Sequence, residues 1–157
     1  VAALVLRGAH PGIEDDDERA DRRQADDDLA GHLEAIGLAA FLDEWLAQPL
    51  FAGLPPEADQ RAERLANDPT ALAATLRTLG TGRQVPLWDR LPALGLPVLV
   101  LAGERDDKYT RLGRQAVAAI GANATFESVP GAGHAAHLEQ PAFVAQRVRA
   151  FLTASGL

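Results

Sequence analysis

The stretch Leu96-Pro-Val-Leu-Val-Leu-Ala-Gly-Glu-Arg-Asp106 decides the class of fold to which this chain belongs. A proline stands near its start, the next five residues are apolar without alternation, and Gly103 ends the run. Continuous apolarity is typical of a parallel strand that is covered on both faces, because a strand with one exposed face alternates polar and apolar residues. The pattern therefore predicts a central strand of a parallel sheet, with charged side chains directly after its carboxyl end.

Two other segments resemble strands, and helices are predicted beside them. Residues 1–6 are apolar and are followed by turn residues, which predicts a buried strand, and residues 124–129 form a more alternating strand that ends at Pro130-Gly131. Apolar residues at helical spacing predict helices over 110–120 and 141–152. The order strand, helix, strand, helix is typical of a parallel α/β sheet.

Residues 14–92 differ from the rest because they contain no convincing strand. Glycines and prolines divide them into amphipathic segments, which predict helices over 15–33, 38–46, 56–66 and 69–79. The sequence therefore predicts three parts: residues 1–13 as a strand and turn of the core, 14–92 as a helical cap insertion, and 93–157 as the C-terminal part of the core.

The composition excludes several classes of function. The chain has 157 residues, no cysteine and a formal net charge of −7, so disulfides, thiolate metal sites and cysteine nucleophiles are absent. An acidic chain is a poor nucleic-acid binder, and no apolar run approaches the ~18 residues that span a bilayer. We expect neither a nucleic-acid nor a membrane partner, and a cytoplasmic location. Because the chain has no methionine and begins inside an apolar run, we also expect a fragment or one half of a longer protein.

The residues after two predicted neighbouring strands could form a catalytic pair. Gly131-Ala-Gly-His134 follows one strand and Gly103-Glu-Arg-Asp106 follows the other. An aspartate that accepts a hydrogen bond from one imidazole nitrogen leaves the other nitrogen free as a base. Spacing alone leaves two alternatives open: Asp107 could take the role of Asp106, or the aspartate and histidine could lie apart on the surface.

No nucleophile for this pair can be recognised. No G-x-S-x-G occurs, Ser128 lies in a predicted strand and Ser155 in the tail. Gly8-Ala-His-Pro-Gly12 imitates a nucleophile elbow, but Pro11 has no N–H to offer an oxyanion, so His10 is predicted to be a turn or pocket-wall residue. His134 and His137 lack a third metal ligand, and no metal or cofactor is expected.

Cationic and aromatic side chains of the inserted helices could contact a ligand. Arg22, Arg23 and Arg64 could clamp anionic groups, since a guanidinium binds a carboxylate in bidentate fashion. Composition alone also allows each of them to be a solvated arginine or the partner of a nearby acid. Trp45 could equally be a core residue.

Six segments, in the order of the chain, carry a resemblance to one family. They are His10-Pro-Gly12, Asp17-Glu-Arg-Ala-Asp-Arg-Arg-Gln24, Trp45-Leu-Ala-Gln-Pro-Leu-Phe51, Arg64-Leu-Ala-Asn67, Gly103-Glu-Arg-Asp-Asp-Lys108 and Gly131-Ala-Gly-His-Ala-Ala-His-Leu-Glu-Gln-Pro141. Together they resemble the 2-succinyl-6-hydroxy-2,4-cyclohexadiene-1-carboxylate (SHCHC) synthases of menaquinone biosynthesis. The fifth and sixth segments contain elements generic to the α/β-hydrolase superfamily, whereas the second and third are much more specific.

The resemblance implies a fold and a reaction. The fold is α/β: a partial α/β-hydrolase fold, with the C-terminal parallel strands and helices and an inserted helical cap. The reaction eliminates pyruvate from an anionic substrate, 2-succinyl-5-enolpyruvyl-6-hydroxy-3-cyclohexene-1-carboxylate. By resemblance, Asp106 orients His134, His134 activates a serine, and Arg22, Trp45 and Arg64 contact the substrate.

The chain departs from the family in one large respect. In the family, the serine elbow, the oxyanion-hole loop and the first strands precede the region that matches here. The expected partner is therefore the missing N-terminal half of the fold, and the chain alone is expected to be inactive. The alternatives are an α/β-hydrolase acting on an ester or a C–C bond, and an inactive fragment or binding module.

Overall fold

The computed structural model describes all 157 residues and contains one three-stranded sheet. Its strands are β1 (Leu4–Arg7), β2 (Val98–Gly103) and β3 (Ala124–Val129), in the order β1-β2-β3. Both pairings are parallel. The loops that follow the three strands therefore leave the sheet at one edge, where sites of α/β proteins are found.

The central strand β2 is buried along its whole length, as its continuous apolar run predicts. Its side chains alternate between the two faces of the sheet. Val98 and Val100 pack into one apolar cluster with residues of the following helix, whereas Leu99 and Leu101 pack into a second cluster with Val144. Each face of β2 thus has its own core.

Three helices accompany the sheet: α5 (Asp107–Ile120), α6 (Ala136–Glu139) and α7 (Pro141–Ala154). A Cβ atom at Gly113 would lie 2.8 Å from the ring of Phe126, so a glycine there lets α5 pack closely on β3. The short helix α6 was not predicted, and α5 begins three residues earlier than the sequence indicates.

Four helices fill the region between β1 and β2: α1 (Asp16–Ile36), α2 (Leu38–Leu46), α3 (Arg61–Leu65) and α4 (Pro69–Leu79). The side chains of Asp15 and Asp68 cap α1 and α4 by accepting backbone N–H groups. Buried residues of α1, α2 and α4 form a common apolar cluster: Ala30, Leu33, Phe41 and Ala73.

The single helix predicted over residues 56–66 is wrong. The structure has a 3-10 turn at Pro56–Ala58 and then the separate helix α3. Gln60 lies between them with a φ of 55°, in the left-handed region, and the side chain of Asp59 accepts the N–H of Arg61 at 2.8 Å. The left-handed residue interrupts the helix, and the side-chain bond satisfies a backbone donor at the break.

The chain divides into two compact units. The sheet unit consists of Val1–Pro11, Pro49–Ala58 and Leu87–Leu157, and the helical unit consists of Gly12–Gln48 and Asp59–Pro86. Residues 49–58 and 87–92 therefore lie with the sheet, although the sequence places them in the inserted region. Leu91 explains part of this difference, since it packs in the same cluster as Val98 and Val100. No helix is both long and apolar enough to span a membrane.

Strand β1 lies at the edge of the sheet and pairs only with β2. The sequence predicts a buried strand, but exposure alternates along β1 and Val5 is 40% exposed. Each face of β1 borders a cavity, one of about 450 Å³ beside Leu4 and Leu6 and one of about 460 Å³ beside Val5 and Val148. The apolar side chains of β1 are thus only partly buried.

Candidate active site

Asp106 and His134 form a hydrogen-bonded pair at the carboxyl ends of β2 and β3. His134 Nδ1 lies 2.7 Å from Asp106 Oδ2, and the aspartate side chain is 8% exposed against 26% for the histidine. Because a carboxylate only accepts hydrogen bonds, Nδ1 carries the proton and Nε2 is left as the basic nitrogen. The contact expected from the sequence is present, and it involves Asp106.

The carboxylate of Asp106 has two structural partners. While Oδ2 accepts from His134, Oδ1 accepts the N–H of Tyr109 at 3.2 Å, which makes Asp106 the N-cap of α5. The positive end of the helix dipole favours a negative charge at this position. Asp107 is already inside the first turn of the helix and does not take the role.

The loop that carries His134 is fixed by two glutamates. Gly131 donates its N–H to Glu104 Oε2 and Gly133 donates its N–H to Glu139 Oε2, both at 2.7 Å. Gly131 has a φ of 64°, which a residue with a side chain rarely adopts. Sequence analysis missed both glutamates, since neither their spacing nor their surroundings in sequence indicate a bond to the glycine loop.

The imidazole of His134 lies against two groups that sequence analysis also missed. The ring of Tyr109 is 4.8 Å from it, centroid to centroid, at a tilt of 48°. Gly8, after β1, has a φ of 52°, and a Cβ there would lie 3.3 Å from His134 Cε1. A cavity of about 300 Å³ opens beside the pair and is bordered by Asp106, His134 and Arg105.

The sheet unit contains two further histidines, His10 after β1 and His137 in α6. His10 borders the apolar cavity beside Leu4 and Leu6, as expected of a pocket-wall residue. His137 Nδ1 is buried without a hydrogen-bond partner. Burial lowers the pKa of His137, the charge of Arg7 and that of protonated His134 lower this pKa further, and the nearby carboxylate of Glu139 offsets part of the change. No group of three or more His, Cys, Asp or Glu side chains is arranged to hold a metal ion.

The helical unit brings two of its four candidate ligand-contacting residues to one cavity. Trp45 stacks on Phe41, with centroids 5.8 Å apart and planes 15° apart, and borders a cavity of about 220 Å³ together with Arg64. Arg64 Nε donates to the carbonyl of Asp59 at 2.8 Å. Since this bond uses only Nε, the two terminal nitrogens of Arg64 keep the geometry needed for a carboxylate.

The arginines of α1 have partners within the helical unit. Arg22 Nε donates to Asp26 Oδ1 at 2.8 Å, and Asp26 is buried while the Arg22 side chain is 44% exposed. Arg23 donates to the carbonyl of Gly82 at 3.1 Å, which gives it a structural role. Arg22 does not border the cavity of Trp45 and Arg64.

Residues 2–147 match the family model described as the alpha/beta hydrolase family. The chain belongs to the alpha/beta hydrolase family. The match includes Asp106, His134 and the whole helical unit, and it ends within α7.

Within this family, the chain is similar to proteins named SHCHC synthase. A Bacillus subtilis (strain 168) protein that carries this name provisionally is 37% identical over 98% of the chain, and the synthase of Salmonella heidelberg (strain SL476) is 35% identical over 92%. The solved structure of MenH from S. aureus is 31% identical over 100% of the chain, with a TM-score of 0.95. The resemblance seen in the sequence is thereby confirmed.

The chain spans only part of the length of these relatives. It covers 57% of the Bacillus protein, 56% of the Salmonella protein and 60% of the MenH chain. Of the two serines of the chain, Ser128 lies within β3 and Ser155 donates to the carbonyl of Phe151 at the end of α7. Neither serine follows a strand in the way that Asp106 and His134 do.

Proposed function

We propose that this chain supplies the base and the helical cap of an SHCHC synthase-like lyase. The observation that carries the proposal is the 2.7 Å bond between His134 Nδ1 and Asp106 Oδ2 in a chain 35–37% identical to synthases of that name. In this proposal Asp106 and His134 belong to a Ser-His-Asp triad. The reaction is the elimination of pyruvate from 2-succinyl-5-enolpyruvyl-6-hydroxy-3-cyclohexene-1-carboxylate in menaquinone biosynthesis.

The proposed chemistry needs one base and no cofactor. His134 Nε2 takes the proton of a serine hydroxyl, and the serine oxygen removes a ring proton from the substrate. The electron pair of the ring C2–H bond forms a C2=C3 bond, the electron pair of the existing C3=C4 bond moves to C4=C5, and the C5–O bond to the enolpyruvyl group breaks. Pyruvate leaves as its enolate, which takes a proton from the His134 imidazolium. Asp106 stabilises the imidazolium that forms on His134.

The proposed substrate carries three carboxylates, and this is the reason to assign arginines to its binding. We assign Arg22, Arg64 and Trp45 as substrate-contacting residues. Each arginine uses Nε for a bond inside the helical unit, so the planar fork of terminal nitrogens is oriented before any ligand arrives. An oriented guanidinium loses less conformational entropy when it binds a carboxylate, which strengthens and sharpens recognition.

The partner in this proposal is a polypeptide segment that carries the serine. In relatives of full length it precedes the matched region, and the proposal places it against β1. Support comes from the unpaired outer edge of β1, from the 40% exposure of Val5 and from the apolar cavity on the Leu4 face. An unpaired strand with apolar faces readily pairs with another strand.

The proposal is tested by restoring the serine. The 157-residue chain is combined with the serine-bearing N-terminal segment of a synthase relative, and this combination is called the complemented protein below. Formation of the conjugated diene is followed by ultraviolet absorbance. We expect turnover only when both parts are present, and none when His134 is replaced by alanine. Complexes that form and yet give no diene with the enolpyruvyl substrate would contradict the proposal.

Membership of the alpha/beta hydrolase family supports a second candidate, hydrolysis of an ester or a C–C bond. The same Asp106–His134 pair would then activate the serine for attack on a carbonyl carbon. The complemented protein separates the two candidates, because a hydrolase prefers neutral esters, whereas a lyase of this type prefers the anionic substrate and turns over neutral esters only slowly. If the complemented protein uses neither, the chain is an inactive fragment or binding module.

A further inference from the structure

The backbone N–H of Gly133, the residue before His134, is bonded to a side chain that has no other hydrogen bond. Gly133 donates its N–H to Glu139 Oε2 at 2.7 Å, while Glu139 Oε1 is buried and has no partner. A buried oxygen without a donor costs free energy, so such an oxygen in a folded protein requires a reason. Fold stability alone is a poor reason, since a neutral apolar side chain would avoid the cost.

Two glycines make the space in which this carboxylate lies. A Cβ atom at Gly53 would overlap Glu139 Oε2, and a Cβ at Gly133 would lie 3.2 Å from Glu139 Oε1. Gly53 comes from the segment Pro49–Ala58, which belongs to the sheet unit but is far from Glu139 in sequence. Two separate parts of the chain, at Gly53 and at Gly133, thus confine the carboxylate of Glu139. Because the carboxylate can move little, the N–H of Gly133 that donates to it has a restricted direction.

We propose that Glu139 is a positioning residue for His134. By accepting the N–H of Gly133, it fixes the backbone from which the imidazole reaches Asp106. The glycines of the loop give the chain the freedom to turn, and Glu139 removes that freedom at the residue next to His134. Glu139 touches neither a substrate nor a reacting atom in this account, and it acts only through the backbone of Gly133.

Glu104, which follows β2, provides a matched control because it also bonds to the loop that carries His134. Its Oε2 accepts the N–H of Gly131 at the same distance of 2.7 Å, but Gly131 is three residues from His134 and Glu104 is exposed. If every carboxylate that accepts an N–H of this loop positioned His134 to the same degree, removing Glu104 and removing Glu139 would disturb His134 equally. The inference requires a larger effect from Glu139.

The test is NMR of the isotope-labelled 157-residue chain, with the exchange rate of the His134 Nδ1 proton as the readout. In Glu139→Ala we expect this proton to exchange about tenfold faster, the factor that corresponds to ~1.4 kcal/mol, with a shifted Gly133 amide resonance. Glu139→Gln keeps an acceptor for Gly133 and should restore slow exchange. Glu104→Ala should shift the Gly131 amide and leave His134 exchange unchanged.

A second variant keeps the inference testable if Glu139→Ala fails to fold. Gly53→Ala retains Glu139 but places a methyl group where its Oε2 lies, so it should accelerate His134 exchange in the same direction. Unchanged exchange in Gly53→Ala, equal effects of Glu104→Ala and Glu139→Ala, or a Gln variant as disturbed as the Ala variant would each overturn the inference. A loss of thermal stability without faster exchange would show a structural role only.

The inference rests on the proposed role of His134 as a base, but the exchange measurement does not depend on that role. If the complemented protein is an active lyase, Glu139→Ala should lower kcat about tenfold and leave KM unchanged, since positioning acts on the base and not on substrate binding. If the complemented protein is inactive, the proposed function fails and the exchange data still decide whether Glu139 positions His134.

Discussion

The sheet unit and the helical unit hold their proposed functional residues in different ways. Asp106 and His134 follow strands joined by backbone hydrogen bonds, and Asp106 also caps a helix. Arg22, Trp45 and Arg64 lie on three separate helices and are held by side-chain bonds or stacking. The order of the parallel strands determines where the proposed catalytic pair lies. Individual side-chain contacts determine where the residues proposed to bind the substrate lie. Substitutions in the two units should therefore have different consequences.

The largest effect is expected for Asp106→Asn in the sheet unit. An asparagine can donate to Nδ1 as well as accept from it, so it permits the tautomer of His134 in which Nε2 is no longer basic. We expect kcat of the complemented protein to fall about 10³- to 10⁴-fold. Steady-state kinetics measures the change, with Asp107→Asn as the neighbouring control. A loss of less than about tenfold would mean that His134 needs no orienting carboxylate.

Core substitutions compare the stability of the two units. Leu99 in β2 and Leu33 in α1 are both 1% exposed, and each packs in the core cluster of its own unit. We expect Leu99→Ala and Leu33→Ala each to lower the free energy of unfolding by about 2–5 kcal/mol, from lost burial and the cavity that remains. Denaturant titration followed by Trp fluorescence and by far-ultraviolet circular dichroism measures both.

The two tryptophans allow the unfolding of each unit to be followed separately in these core variants. Trp45 reports on the helical unit and Trp88 on the sheet unit, so variants retaining one tryptophan follow each unit separately. Leu33→Ala should shift the Trp45 transition at least as far as the Trp88 transition. A larger shift of the Trp88 transition in Leu33→Ala would contradict the division into two units.

Arg64 tests the recognition assigned to the helical unit. Each fork to a carboxylate is a charge-assisted pair of hydrogen bonds, worth about 1.5–3 kcal/mol, so Arg64→Ala should lower kcat/KM for the enolpyruvyl substrate about 10- to 100-fold. Arg64→Lys should recover only part of this loss, because an ammonium group cannot reproduce the fork. Arg77→Ala is the control, since Arg77 pairs with Glu34 on the surface. Full recovery by lysine would argue against bidentate binding.

The smallest expected effect concerns the pH dependence of stability. Burial lowers the pKa of His137 below its ordinary value of 6.5, so the unfolded chain binds the proton more readily than the folded chain. Stability that is present above about pH 6.5 is therefore lost as the pH falls toward the lowered pKa of the folded state. His137→Gln should remove this part of the slope, as measured by thermal unfolding between about pH 7.5 and about pH 5.5. An identical slope in both proteins would show that His137 does not contribute.

The sheet unit also shows how much could be predicted from the sequence. The bounds of β3, and the possibility that an aspartate after β2 meets His134, follow from apolar runs, glycines and strand order, which are local or topological signals. The choice of Asp106 over Asp107 came from the family resemblance. Glu139 and Tyr109 were missed because their contacts depend on where α5 and α6 pack. No residue pattern near either position indicates a bond or a ring contact to the His134 loop.

The helical unit was predicted less completely. The bounds of α2 and α4 follow from glycine and proline signals, and both agree with the structure. The break at Gln60 was missed because a non-glycine residue with positive φ has no reliable sequence signal. The bond from Arg22 to Asp26 fits an i, i+4 spacing, but only burial of Asp26 distinguishes it from the other acidic residues of α1.

One measurement tests most directly whether the sheet unit supplies the chemistry and the helical unit the recognition. It is the ratio of kcat/KM for the enolpyruvyl substrate to kcat/KM for a neutral ester, taken in the complemented protein and in its Asp106→Asn and Arg64→Ala variants. We predict that Asp106→Asn lowers both values and preserves the ratio, whereas Arg64→Ala lowers the ratio about 10- to 100-fold. A ratio that Arg64→Ala leaves unchanged would contradict the account.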